Sequence, residues 1–206
     1  MRHTMIQSLC LLLVTLIAVS VAGDACGEEI YHSPLALAAC GDRIYVADQT
    51  ANQVAVFNAA ENVLVGAIAL PGPPTGLVTA PDATLLYVTT GGPEGQVCVI
   101  RLSDGAIMAT WPAGHTPGAP AVTPDGKTLF VCNPFNNSVT VHNLSGGAVE
   151  QTISVGHEPS AAVMTSDGAR LLVANLLPAS RADGDYVSAT VDVVDVAGRV
   201  LLGSVK

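Results

Sequence analysis

Thr123-Pro124-Asp125-Gly126-Lys127-Thr128-Leu129-Phe130-Val131-Cys132-Asn133 is a turn followed by an apolar strand, and the chain repeats it. In Pro124-Asp125-Gly126 the aspartate caps its own turn and the glycine accepts a positive φ. Pro81-Asp82-Ala83 and Ser166-Asp167-Gly168 hold the corresponding places ahead of and behind it. The strand pairs Tyr45-Val46, Tyr87-Val88, Phe130-Val131 and Leu172-Val173 follow at intervals of 42, 43 and 42 residues. Further on, Val54-Ala55-Val56-Phe57-Asn58, Val97-Cys98-Val99-Ile100-Arg101, Val139-Thr140-Val141-His142-Asn143 and Val191-Asp192-Val193-Val194-Asp195 recur as β-branched, partly alternating runs. Such runs predict half-buried strands. The last of these intervals is 52 residues, so the fourth unit carries about ten extra.

Each unit holds a strand after a Gly/Pro-rich lead-in, an Asp-Gly turn, a second strand, a polar loop, a third strand, a turn such as Ser103-Asp104-Gly105 or Ser145-Gly146-Gly147, and a fourth strand. A period of this length with four strands and almost no helical periodicity predicts an all-β fold, a β-propeller of four-stranded antiparallel blades. A sandwich would not repeat so regularly. The blades are expected at about 34–74, 75–117, 118–159 and 160–206.

The repeated residues resemble the YVTN family of propeller repeats, in which a proline-led strand, a Ser/Thr-Pro-Asp-Gly turn, a Leu-Tyr-Val-x-Asn strand and a Val-x-Val-Ile-Asp strand recur. The third unit carries the pattern most fully, and the fourth follows with Leu171-Leu172-Val173-Ala174-Asn175. The first departs from it with Cys40-Gly41-Asp42 at the turn and Asp48 for asparagine, the second with Thr90 there. WD40 repeats share the length, but their Trp-Asp ending is missing, and Trp111 lies outside its place. Closed propellers have roughly four to eight blades. About four blades and no visible closing strand predict a partial propeller, either the front of a longer chain or one that closes its ring with another chain.

The sequence has 206 residues, 50% hydrophobic and 12% charged, with a formal charge of −9. That is too apolar for disorder, and an acidic chain without Lys/Arg runs excludes nucleic acid and anionic membranes as partners. Arg2 and His3, the apolar stretch from Leu9 to Val19, and Ser20-Val21-Ala22 read as a signal peptide over 1–22, with 23–33 a short segment before the repeats at 34–206. The apolar run is too short to span a bilayer, so an exported protein of the periplasm, cell surface or medium is expected, with no transmembrane segment. Cys26 lies near the cleavage point, but Asp24 suits a lipoprotein site poorly.

Loops from strand two to strand three share one rim with the linkers between blades. On that rim fall Gly114-His115-Thr116-Pro117 and Gly156-His157-Glu158-Pro159, their histidines 42 residues apart. His115 and His157 are candidate metal ligands, although two imidazoles are too few for a site. The alternative is that Gly-x-x-Pro supplies a tight bend and the histidine is a tolerated exposed residue. The period-breaking stretch of the fourth unit falls on the same rim, and Arg181, Asp183, Asp185 and Tyr186 there are candidate ligand-binding residues. Cys26, Cys40, Cys98 and Cys132 form no C-x-x-C pair or haem-attachment motif, and a Cys26–Cys40 bridge is one pairing an oxidising envelope permits. No nucleophile elbow, phosphate loop or dinucleotide fingerprint occurs.

These residues encode no cofactor, so haem or metal would belong to a region beyond them. The expected function is a non-catalytic binding propeller of the bacterial envelope, with a protein or small-molecule ligand at its rim. The alternatives are a module of a larger cytochrome-linked redox protein, implied by resemblance around Leu177-Pro178, and a metal-dependent enzyme using the rim histidines.

Overall fold

The computed structural model describes residues 31–178 and 188–205. All its strands lie in the unit that begins at His32. They form four antiparallel four-stranded sheets, each consecutive in sequence. The first blade is β1 (Pro34–Cys40), β2 (Arg43–Asp48), β3 (Gln53–Asn58) and β4 (Val63–Ala69). The second is β5 (Pro74–Thr79), β6 (Leu85–Thr90), β7 (Gln96–Arg101) and β8 (Ile107–Pro112). The third is β9 (Gly118–Val122), β10 (Thr128–Asn133), β11 (Ser138–Asn143) and β12 (Val149–Ser154). The fourth is β13 (His157–Met164), β14 (Arg170–Leu177), β15 (Val191–Asp195) and β16 (Val200–Val205). The first strands β1, β5, β9 and β13 lie side by side in that order, the inner strands of an open, partial propeller.

The turns between first and second strands form as their residues dictate. The Asp125 carboxylate accepts from the Lys127 amide at 3.1 Å and the Thr123 hydroxyl at 2.6 Å, and Asp167 repeats this with Ala169 and Thr165. Hydrogen bonds from the Thr123 and Thr165 hydroxyls, then from those amides, hold both carboxyls below the usual carboxylate range.

Packing between blades supplies the core. Tyr45, Ala47 and Val54 of the first blade meet Leu77, Leu86, Val88, Cys98 and Ile100 of the second. Tyr87, Val97 and Val99 meet Leu129 and Val131 of the third, and Phe130, Cys132, Val139 and Val141 meet Leu171, Val173 and Val194 of the fourth. Cys98 and Cys132 are thus small core hydrophobes, and burial pushes their thiols up to about 11 and about 12. Cys40 bridges no other cysteine among the described residues, and Cys26, the other half of the expected Cys26–Cys40 pair, lies outside them.

One polar cluster joins the second and third blades. The Trp111 indole stacks on the His142 ring, centroids 6.5 Å apart and planes 20° apart. His142 is fully buried. Its Nδ1–H donates to the Gly147 carbonyl at 3.3 Å, which leaves Nε2 to accept from the Thr140 hydroxyl at 3.2 Å. Asn133 Nδ2 donates in turn to Thr140 Oγ1 at 3.2 Å. Burial pushes the imidazole below its ordinary value despite the Gly147 carbonyl, so the ring is held neutral.

Gly147 has φ +73°, and a Cβ there would overlap the Trp111 ring. Gly147→Ala should cost about 2 to 4 kcal/mol, while Gly146→Ala, which adds a methyl in open space, should change stability by less than about 1 kcal/mol. Urea unfolding of the two variants measures this. Because the folded His142 pKa is depressed, its contribution is complete above the unfolded value of about 6.5 and declines as pH falls below it. His142→Gln should remove that component from a plot of stability against pH.

Candidate functional site

The second strand of every blade carries a buried polar residue at one register position, its last residue Asp48, Thr90 or Asn133 in the first three blades and Asn175, two residues before the end of β14, in the fourth. Each meets the linker that leads into its own blade. Gly114 lies so close to Asn133, and Gly156 to Asn175, that a Cβ on either glycine would overlap the asparagine side chain. In the first blade Asp48 accepts from the Ser33 amide at 2.9 Å, the Ala51 amide at 3.5 Å, Gln53 Nε2 at 3.4 Å and His32 Nδ1. Burial would raise the Asp48 carboxyl, and these hydrogen bonds outweigh it, leaving it below the ordinary carboxylate value.

This register exposes a third histidine that the sequence reading missed. Pro34 pairs with Asp48, Pro74 with Thr90 and Pro159 with Asn175. The residue two before each proline is His32, Gly72 and His157, and His115 stands likewise before Pro117. Three of four blades therefore place histidine at one rim position. The signal was the His-x-Pro spacing of His32-Ser33-Pro34, hidden because the repeat was read from Pro34 onward.

The rim of the third and fourth blades is built around the short 3-10 turn Pro134–Asn136. Asn136 Oδ1 accepts from the His115 amide at 3.0 Å, and Asn137 Oδ1 accepts from the Glu158 amide at 2.9 Å. One turn thus holds the linkers on both its sides, with Thr116 at φ +48° and Glu158 at φ +56°. The His115 ring packs on Phe135 at 4.7 Å between centroids, and Phe135 is 70% exposed. His157 begins β13 opposite Leu177, where the long insertion departs. Arg181, Asp183, Asp185 and Tyr186 lie outside the described residues. Among the described residues no three His, Cys, Asp or Glu side chains come together as metal ligands. The rim offers instead an exposed aromatic pair, side-chain amides and imidazoles suited to non-covalent contacts.

Two solved structures share this architecture. Kuenenia stuttgartiensis hydrazine synthase superposes with a TM-score of 0.76 at 19% identity, covering 89% of this chain and 51% of that one. A functionally unknown protein from Desulfotomaculum acetoxidans superposes with a TM-score of 0.70 at 15% identity, covering 84% and 56%. The shared fold is the β-propeller. In sequence, the chain is 25% identical over 114 residues to Antigen Lp49 of Leptospira interrogans, covering 49% of this chain and 25% of that protein. No family model matches the chain. The chain spans about half the length of the two solved structures and a quarter of the curated relative.

Asp48→Ala leaves two amides, Gln53 and His32 without an acceptor, and should cost about 2 to 3 kcal/mol. His115→Ala and His157→Ala should stay within about 0.5 kcal/mol of the parent chain. Urea titrations near neutral pH check both. Since the folded Asp48 pKa is depressed, its share of stability is present above about 3.9 and is lost as pH falls through the folded value.

Proposed function

We propose that this protein is an exported, non-catalytic binding propeller of the bacterial cell envelope, built from YVTN-type repeats. Its rim takes a protein or small-molecule ligand on the His115, Phe135 and His157 surface and on the insertion carrying Arg181, Asp183, Asp185 and Tyr186. Its two end blades dock against further blades or another chain.

The observation that carries the reading is the chemistry of those ends. In β1, Ala36, Ala38 and Cys40 face the second blade, so Leu35 and Leu37 point the other way, 54% and 68% exposed. In the fourth blade Ala162, Met164, Leu171, Val173 and Val194 face the third blade, while Val163, Leu176 and Val191 are exposed on the far side. A repeat array that ends in solvent needs a polar outer face on its terminal units. Apolar faces at both ends fit units that continue into a partner surface.

The intact mass and association state of the mature protein from its own cells test this. A mass above that of residues 23–206, or a stable complex of that piece with another chain, is expected, with Gly23 at the mature N-terminus. A monodisperse monomer of 23–206 at micromolar concentration would overturn the docking reading. A second reading, a module of a larger redox protein, draws on the fold shared with hydrazine synthase. Covalent haem in the isolated native chain would favour it over the first.

A further inference from the structure

Four buried side-chain polar atoms among the described residues have no hydrogen-bond partner: Asn133 Oδ1, Asn175 Oδ1, Ser188 Oγ and Asp192 Oδ1. Three of the four belong to the fourth blade, the one whose period is broken. Val173 pairs with Asp192, and the Asn175 amide donates to the Thr190 carbonyl. Alternation along the two strands therefore puts Asn175, Thr190 and Asp192 on the same face as Val173, the face turned to the third blade. Gly156 of the linker closes over them. Its amide donates to Asp192 Oδ2 at 2.6 Å, and its Cα lies against the Asn175 side chain. Asn175 Nδ2 donates to Thr190 Oγ1 at 3.1 Å, which fixes the amide and leaves Oδ1 as the free acceptor.

The carboxylate is the anomaly. By register, the places equivalent to Asp192 in the other blades hold Ala55, Cys98 and Thr140, all without charge. A blade therefore packs without an acid there. Asp192 is only 1% exposed, and a buried carboxylate with a single backbone donor is costly unless a positive charge meets it. The arginines flanking it in the described chain are engaged elsewhere, Arg170 with Asp195 and Arg199 with Glu150. Asn175 Oδ1 adds a second unpaired oxygen and Ser188 Oγ a third. An all-oxygen set of one carboxylate, one amide carbonyl and one hydroxyl is the chemistry of a hard cation.

We propose that Asp192 Oδ1, Asn175 Oδ1 and Ser188 Oγ bind a hard cation, sodium or calcium, beneath Gly156 at the rim between the third and fourth blades. The ion ties the linker at Gly156 to the strand that begins after Ser188. It supplies in this blade the link that Thr140 supplies to Asn133 in the third. Water satisfies the amide and the hydroxyl but leaves the carboxylate charge uncompensated, so the two occupants differ in their dependence on cations.

The test uses the full mature chain, treated with a chelator and dialysed into choline chloride. Calorimetric titration with calcium chloride, and thermal unfolding in sodium chloride against choline chloride at equal ionic strength, separate the two ions. One ion per chain is expected, with a rise in Tm of at least about 5 °C at a hundredfold excess over Kd. Asp192→Asn should abolish the response, and without cations it should melt no lower than the cation-free parent, since it removes the uncompensated charge. Ser188→Ala should weaken binding while the protein stays folded, and Asp125→Asn on the opposite rim should bind as the parent does. An equal Tm in sodium chloride and choline chloride together with no stoichiometric heat on titration with calcium chloride, or a response that survives Asp192→Asn, would overturn the proposal.

Discussion

A four-stranded blade has two faces and cannot bury either by itself, so everything in this structure depends on blade-to-blade contact. The burial of the second strands shows it directly. In β6 and β10 five consecutive residues are buried, because Leu86 and Val88 turn to one neighbouring blade while Tyr87 turns to the other. In β14 buried and half-buried residues alternate, and β2 does the same along most of its length, since each has only one neighbour. A Val, Leu or Phe side chain gains about 1.5 to 3 kcal/mol on full burial. Each ordered residue loses a comparable amount of conformational freedom. A blade buried on one face is marginal and one buried on both is secure, which makes the inner pair the anchor of the array.

The same stacking makes the rim a precise surface. A buried polar residue near the rim end of each second strand reaches the linker that leads into its blade, so blade spacing and linker position are set together. Asp48 does this with hydrogen bonds, Asn133 and Asn175 by close approach to a glycine. Histidine two residues before the proline then projects at a position the core has fixed. The cost of this arrangement is buried polar atoms, and in the fourth blade they outnumber the partners found among the described residues.

The blades were legible because their signals are local. Asp-Gly turns need only neighbouring atoms, and a β-branched run at a constant period identifies its own strand. Cys98 and Cys132 fall inside or beside such runs and are buried with them. The site was legible only in part. His115 and His157 were visible as repeated Gly-His-x-x sequences, but His32 follows Tyr31 rather than glycine, and only strand register aligns it with them. Asn136 and Asn137 carry no local signal, since their partners lie 21 positions away. Trp111 and His142 meet across two blades, a contact that no spacing rule within one repeat reports.

The fourth blade gathers the departures from the repeat. Its second-to-third-strand loop is long, its third strand carries the acid Asp192 where the others carry neutral residues, and its linker glycine is the one whose amide that acid takes. A lengthened loop alone would be neutral drift on a tolerant rim. A buried acid alone would be a destabilising accident. Together at one seam, beside a turn that already holds the linkers on both its sides, they make the junction of the third and fourth blades the place where the repeat is specialised. A repeat scaffold is uniform by construction, so selection for a ligand shows as the place where uniformity is given up at a cost in stability.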